Sequence, residues 1–273
     1  MADKQFIDVE RLIASKSPKT LKRLPGFIIR YLKRILHQNE VNEFIGKNGN
    51  LYGIDFCDEI LKDFNITFEI KNQEKIPKEG KIVIVMNHPL GGMDAIVLVS
   101  ALRGYREDLK FIVNDLLMNL KNLRDLFIGV DKHGKTGISL KQNIENLFAS
   151  DNAICIFPAG MVSRKYQRKI QDFEWKKTFV KYAKQSGQDI IPIYIDGKLS
   201  KFFYRFYSLR KFLGIKTNVE MIYLSNEMFK QKGKKLTFVV GDPIPNAALF
   251  SYKNDLEAAK DIRRITYELK KEL

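Results

Sequence analysis

Apolar positions along the chain follow two regimes. Over residues 1–64 they recur at three- and four-residue intervals, the period of a helix with one greasy face. The clearest stretch runs from Leu24 to Leu36, where Leu24, Phe27, Ile28, Tyr31, Leu32, Ile35 and Leu36 share a face. From residue 65 the pattern changes to short apolar runs alternating with helical segments. The runs predict strands at Ile66–Ile70, Lys81–Met86, Leu109–Val113, Leu126–Val130, Ala153–Phe157, Asp189–Ile195, Val219–Leu224 and Leu236–Val240. The segments between them predict helices near Asp94–Arg103, Ile138–Ser150, Glu174–Ser186, Ser200–Leu213 and Asn254–Lys271. Strands and helices in alternation predict an α/β fold. The expected architecture is a central, mostly parallel or mixed sheet flanked by helices over residues 65–273, with an amphipathic helical extension over residues 1–64.

Charge sharpens the reading of that extension. Lys19, Lys22, Arg23, Arg30, Lys33 and Arg34 surround the apolar face, and no acid occurs between Glu10 and Glu40. An apolar stripe with a purely basic surround suits the surface of an anionic bilayer; the same pattern also fits a helix packed on its own domain with its bases solvated. The whole chain shares the bias: 47 Lys and Arg against 32 Asp and Glu give a formal net charge of +15. Such a field draws anionic partners, whether a membrane, an acidic carrier or a nucleic acid. With 273 residues, 45% hydrophobic and 29% charged, the chain can build a sizeable core and is not intrinsically disordered. The opening residues MADKQFIDVE lack the apolar core of a secretory signal, and no stretch reaches the ~20 apolar residues of a spanning helix. Two cysteines, Cys57 and Cys155, cannot supply a disulfide framework. A cytoplasmic location, peripheral on the inner face of the cell membrane, is the expectation.

Candidate chemistry concentrates where strands end. His88 follows the run Lys81–Met86 in the segment Asn87-His88-Pro89-Leu90-Gly91-Gly92-Met93-Asp94, and Asp94 opens the next helical run. Reacting groups in α/β proteins sit at the carboxyl ends of strands, in the turn before a helix. An imidazole beside a carboxylate makes a general base with a fixed tautomer, and Gly91 and Gly92 would let the chain fold back so that the two meet. A turn histidine near a helix-capping aspartate is the plainer alternative. Two more strand ends run into punctuated loops: Phe157-Pro158-Ala159-Gly160-Met161-Val162-Ser163-Arg164-Lys165 and Asp189–Gly197. Three such ends could face one cleft.

Taken together and in order, these blocks resemble the glycerolipid, or lysophospholipid, acyltransferase superfamily. The likeness covers roughly residues 66–245. Its first block, N-H-x4-D, is matched by Asn87, His88 and Asp94. A second is echoed by Phe127-Ile128-Gly129-Val130-Asp131-Lys132. The third, F-P-E-G-T-x-S, is matched by Phe157, Pro158, Gly160 and Ser163, and a V-P-V strand by Ile191-Pro192-Ile193. Three departures stand out. The His–Asp spacing is one residue longer, Ala159 replaces the acid of the third block, and the second-block arginine is missing or replaced by Lys132. In the superfamily that acid and arginine are associated with a phosphorylated glycerol acceptor. With Trp175-Lys176-Lys177-Thr178-Phe179, the combination is similar to the hemolysin-like branch, which includes bacterial N-acyltransferases making ornithine or glycine lipids.

The resemblance implies direct transfer of a fatty acyl group, including a 3-hydroxyacyl group, from an acyl carrier protein or coenzyme A thioester, with no bound cofactor and no metal. His88 would be the base and Asp94 its orienter, with no acyl-enzyme on Ser163. Asn87, Gly91, Gly92, Lys132, Phe157, Pro158, Gly160, Ser163 and Arg164 would shape the substrate site, Arg164 with Lys165 by binding an acceptor carboxylate or a donor phosphate. The expected acceptor is the amine of an amino acid such as glycine or ornithine. The hydroxyl of a lysophospholipid or lysophosphatidate is the alternative, and a non-catalytic membrane-binding protein is a third reading. The run Lys198–Leu213 interleaves rings and bases, which fits either an interfacial element or a partly buried helix. Nucleic acid is not an expected partner.

Overall fold

The computed structural model describes residues 6–113, 120–129, 137–166 and 169–273. Among them are the helices α1 (Val9–Lys16), α2 (Pro18–Arg23), α3 (Gly26–Ile35), α4 (Gln38–Asn48), α5 (Gly53–Asp63), α6 (Gly92–Ala101), α7 (Gly137–Ala149), α8 (Thr178–Ser186), α9 (Lys201–Phe212), α10 (Leu224–Phe229), α11 (Asn246–Leu249) and α12 (Asp255–Glu268). The strands are β1 (Thr67–Lys71), β2 (Ile82–Met86), β3 (Leu109–Val113), β4 (Phe127–Gly129), β5 (Ala153–Ile156), β6 (Arg164–Tyr166), β7 (Lys169–Gln171), β8 (Asp189–Asp196) and β9 (Lys235–Val240).

Seven strands form one sheet in the order β1-β9-β8-β2-β5-β3-β4. Every neighbouring pair is parallel except β8 and β9. The central strands read as unbroken apolar runs because helices cover both faces: all five residues of β2 are buried. Alternation along each strand assigns the faces. Val83 and Val85 of β2, Ile154 of β5 and Ile190 of β8 share one core with Phe148, Phe179, Val180, Ala258, Ala259 and Ile262 of α7, α8 and α12. α6 carries only buried residues from Met93 to Ser100, and it packs against α5 and β1. The α/β architecture is as the hydrophobic pattern predicts, and the strands β5, β2 and β8 that carry the three punctuated ends are adjacent and parallel. Their carboxyl ends therefore lie side by side.

Contacts divide the chain into two compact units. Residues 52–199 and 232–273 hold the sheet; residues 1–51 and 200–231 form the second. This division differs from a boundary at residue 64. α5 belongs with the sheet, where Phe56, Cys57, Ile60 and Leu61 are buried. The segment 200–231 joins the N-terminal helices because its rings and polar groups meet theirs. The Tyr31 and Tyr223 hydroxyls are 2.6 Å apart. His37 stacks on Phe229 at 3.8 Å and hydrogen-bonds Asn226.

One strand expectation is corrected, and the ring-and-base run is resolved. Val219–Leu224 is not a strand: Val219–Tyr223 is a 3-10 turn leading into α10. Buried Glu220 in that turn meets the Arg210 guanidinium at 2.7 Å, and a short apolar run is open to either reading. The Lys198–Leu213 run splits by face. Phe203, Tyr204 and Tyr207 are buried, whereas Phe202, Leu209, Phe212 and Leu213 are exposed, Phe212 by 86%. Phe27 of α3 is likewise 63% exposed. Among the described residues no helix is long and apolar enough to cross a membrane.

Candidate active site

The site begins with the turn after β2. Asn87, the first residue beyond the strand, points sideways into the sheet. Its side-chain amide donates to the Ile195 carbonyl at 2.9 Å, and its carbonyl accepts from the Ile195 N–H at 2.7 Å. It therefore ties the end of β2 to β8 as a ladder residue would, which makes Asn87 a clip within the fold; the substrate contact expected of it is not what this geometry offers. The chain then reverses through Gly91, whose φ of +76° and ψ of −137° only glycine adopts without strain. α6 starts at Gly92, so Asp94 lies in its first turn and points back at His88.

There the imidazole and carboxylate meet. His88 Nδ1 stands 2.8 Å from Asp94 Oδ2, and the Leu90 N–H donates to the same oxygen at 3.0 Å. Asp94 is fully buried, while the His88 side chain retains 17% exposure. Burial pushes the Asp94 carboxyl above the usual carboxylate range, against the hydrogen bonds from His88 and Leu90 that favour the anion. Its second oxygen, Oδ1, is buried without a partner. With Asp94 ionised, the proton between the two groups sits on Nδ1, so Nε2 carries the lone pair of a general base. Phe157, at the end of β5, stacks on the ring at 4.0 Å and holds its plane.

A second carboxylate, Asp172, organises the rest and was not singled out by the sequence pattern. It is buried, and it accepts from three groups at once. The His88 backbone N–H donates to Oδ1 at 3.2 Å, Ser163 Oγ donates to Oδ1 at 2.5 Å, and Trp175 Nε1 donates to Oδ2 at 3.0 Å. The Ser163 N–H returns to the His88 carbonyl at 2.7 Å. The cause is the β6–β7 hairpin, whose register pairs Arg164 with Gln171 and so sets Ser163 beside Asp172. The hairpin left no signal that sequence reading could use: its strands are three residues long, and Gln167-Arg168 between them is no turn dipeptide. Ser163 is thus a bracing hydroxyl. Arg164, 1% exposed, is turned inward to the Val162 carbonyl at 2.6 Å. The anion-binding role expected of Arg164 would have to be met in the protein interior, since its guanidinium is buried.

Pro158 accepts the Lys176 N–H at 3.1 Å, and Gly160 takes φ +66° in the same turn. Gly91, Gly92, Phe157, Pro158 and Gly160 therefore gather with His88 and Asp94 within one unit. Lys132 lies outside the described residues. Cys57 and Cys155 are buried, and burial pushes the Cys57 thiol up to about 12, so neither is an available nucleophile.

A base held at a strand end, with a braced loop beside it, is the equipment of an acyl-transfer site. Comparison with known proteins agrees. The family model described as Acyltransferase matches residues 11–273, and the chain belongs to that family. It is 39% identical over 265 residues to the lyso-glycine lipid O-acyltransferase of Bacteroides thetaiotaomicron, covering 97% of each chain. The protein of that name from Phocaeicola vulgatus is also 39% identical, over 97% of this chain and 95% of its own. In fold, the chain resembles the crystal structure of the 1-acyl-sn-glycerophosphate acyltransferase PlsC from Thermotoga maritima, with a TM-score of 0.50 at 14% identity, covering 96% of this chain and 92% of that one. The protein is an acyltransferase of lipid synthesis.

Two outcomes follow from this geometry. Because burial raises the Asp94 carboxyl, its ionisation costs the folded state stability as pH rises through the range where the unfolded carboxyl ionises. Asp94→Asn should then keep or raise the midpoint of chemical unfolding at neutral pH while lowering kcat by about 10²-fold or more. In the wild type, kcat should fall on acidification at a pH above the ordinary carboxylate range, as Asp94 regains its proton; a rate that holds to pH ~4 contradicts this. Asp172→Ala strands three donors and should lower unfolding free energy by about 3 kcal/mol and reduce kcat by about tenfold or more. Asp172→Asn keeps Oδ1 as an acceptor and should lie between, as denaturant titration and steady-state kinetics would show.

Proposed function

We propose that this protein is an O-acyltransferase that moves a fatty acyl group from a thioester donor to the hydroxyl of a glycine-bearing lyso-lipid. The observation that carries the reading is the 39% identity, over 97% of the chain, to two enzymes named for that reaction. The geometry supports it physically. A hydroxyl is a weak nucleophile that must lose its proton as it attacks, so an oriented imidazole is worth most for that acceptor. Missing the acid and the arginine of the superfamily pattern argues against a phosphorylated glycerol acceptor, and leaves an amine and a hydroxyl equally open. The relatives favour the hydroxyl.

His88 Nε2 takes the acceptor's proton as its oxygen attacks the thioester carbonyl carbon. Asp94 stabilises the imidazolium that forms. Collapse of the tetrahedral intermediate breaks the carbon–sulfur bond, and the imidazolium returns the proton to the departing thiolate. One thioester and one alcohol give one ester and one thiol. The donor is an acyl carrier protein or coenzyme A thioester. The second unit would hold the enzyme at its substrate: exposed Phe27, Phe202, Phe212 and Leu213, among Arg30, Lys33, Lys201 and Lys211, suit an anionic bilayer surface.

The purified enzyme, given a long-chain acyl thioester and N-(3-hydroxyacyl)glycine, should form the diacyl product by mass spectrometry, and His88→Ala should reduce that rate at least 10²-fold. Acylation of free glycine in place of the hydroxy-lipid would restore the amine reading, and product from lysophosphatidate alone would refute both. Co-sedimentation with vesicles should be strong with anionic phospholipid and lost with zwitterionic lipid or in ~1 M salt. Phe212→Asp should weaken it, and equal binding to both vesicle types speaks against the surface.

A further inference from the structure

An exposed cation between β7 and α8 lies beside the turn that follows β5. Lys176 is exposed, and among the described ion pairs none includes it. Its ammonium lies against the turn that bears Phe157, Pro158 and Gly160: a β-carbon built on Gly160 would stand 3.1 Å from Nζ and 3.7 Å from Cε. This position is fixed by its surroundings. The Lys176 N–H is bonded to the Pro158 carbonyl, and its neighbour Trp175 is buried and clamped to Asp172. The same turn begins with Phe157, whose ring lies on the imidazole of His88. Gly160 leaves the space that Nζ occupies, and Ala159 supplies no carboxylate to pair with it.

We propose that the Lys176 ammonium is the subsite for the acceptor's carboxylate. This rests on the O-acylation reading, because an amide-linked glycine keeps its carboxyl group free and ionised at neutral pH. A lysine offers a compact point charge with three donors, which suits one carboxylate at the wet mouth of a site. Arg164 is buried and donates to the Val162 carbonyl, whereas Lys176 is exposed and its ammonium lies beside Gly160. Holding the carboxylate there leaves the acceptor's acyl chain, with its hydroxyl, to reach the base.

The test compares N-(3-hydroxyacyl)glycine with the corresponding glycinamide, using one coenzyme A thioester donor. The wild type should prefer the acid over the amide by about 10- to 100-fold in kcat/KM, the range of a charge-assisted hydrogen bond. Lys176→Ala should bring the two acceptors to near parity through a raised KM for the acid. Lys176→Arg should retain part of the preference. Because the side chain is exposed, unfolding midpoints should match, which separates recognition from folding. An unchanged preference in Lys176→Ala would overturn the proposal. So would a raised donor KM with the preference intact, which would put the ammonium on the donor's phosphate instead. If the wild type acylates neither acceptor, the O-acylation reading fails, and this assignment with it.

Discussion

The carboxylate of Asp94 is the constraint around which the site is built. A fully buried acid with one oxygen unpartnered is an expensive thing to fold around, and its retention makes sense only if the anion is needed. It is held by two donors on a single oxygen: the Leu90 backbone fixes the acid, and the acid fixes the imidazole. Both bonds depend on the reversal at Gly91, since a helix starting elsewhere would aim residue 94 away from residue 88.

A base at the end of a parallel strand is positioned by the sheet, and here the sheet holds it from two sides. Asn87 stitches β2 to β8 beyond the last regular ladder bond. On the other side, Asp172 and Ser163 capture the His88 backbone by its N–H and its carbonyl. The proposed base thus has its backbone N–H, its carbonyl and one ring nitrogen restrained, which leaves Nε2 to take the proton. Such pre-organisation lets positioning supply part of the barrier reduction that proton transfer alone cannot.

Much of this was legible before any coordinates. The sheet's strands follow from apolar runs bounded by Gly and Pro, and the His–Asp pair follows from a strand, a glycine turn and a helix in succession. What could not be read depended on partners far apart in sequence. Asp172 meets His88 across 84 residues through a hairpin too short to show alternation. The grouping of residues 200–231 with the N-terminal helices rests on contacts such as Tyr31 with Tyr223, 192 residues apart. The burial of Arg164 was not legible because sequence shows a charge without its direction, and the 3-10 turn at Val219–Tyr223 was not because the ion pair of its buried Glu220 with Arg210 is a tertiary contact.

The proposed base and the proposed acceptor subsite reside on different segments of this fold. Proton transfer belongs to the turn between β2 and α6, which the sheet fixes. On the proposed reading, recognition falls to the stretch between β5 and α8, where Lys176 brings a charge to the turn of Ala159 and Gly160. Asp172 connects the two, because one carboxylate braces His88 and, through Trp175, the strand of chain that carries Lys176. Substitutions at the recognition segment can therefore change the head group while the acid–base machinery stays in register, provided that the brace survives. Asp172 is the position most resistant to change, because it lies on both paths; Gly160, at φ +66°, and the buried Ala159 are held by the turn itself, which leaves exposed Lys176 as the position open to variation.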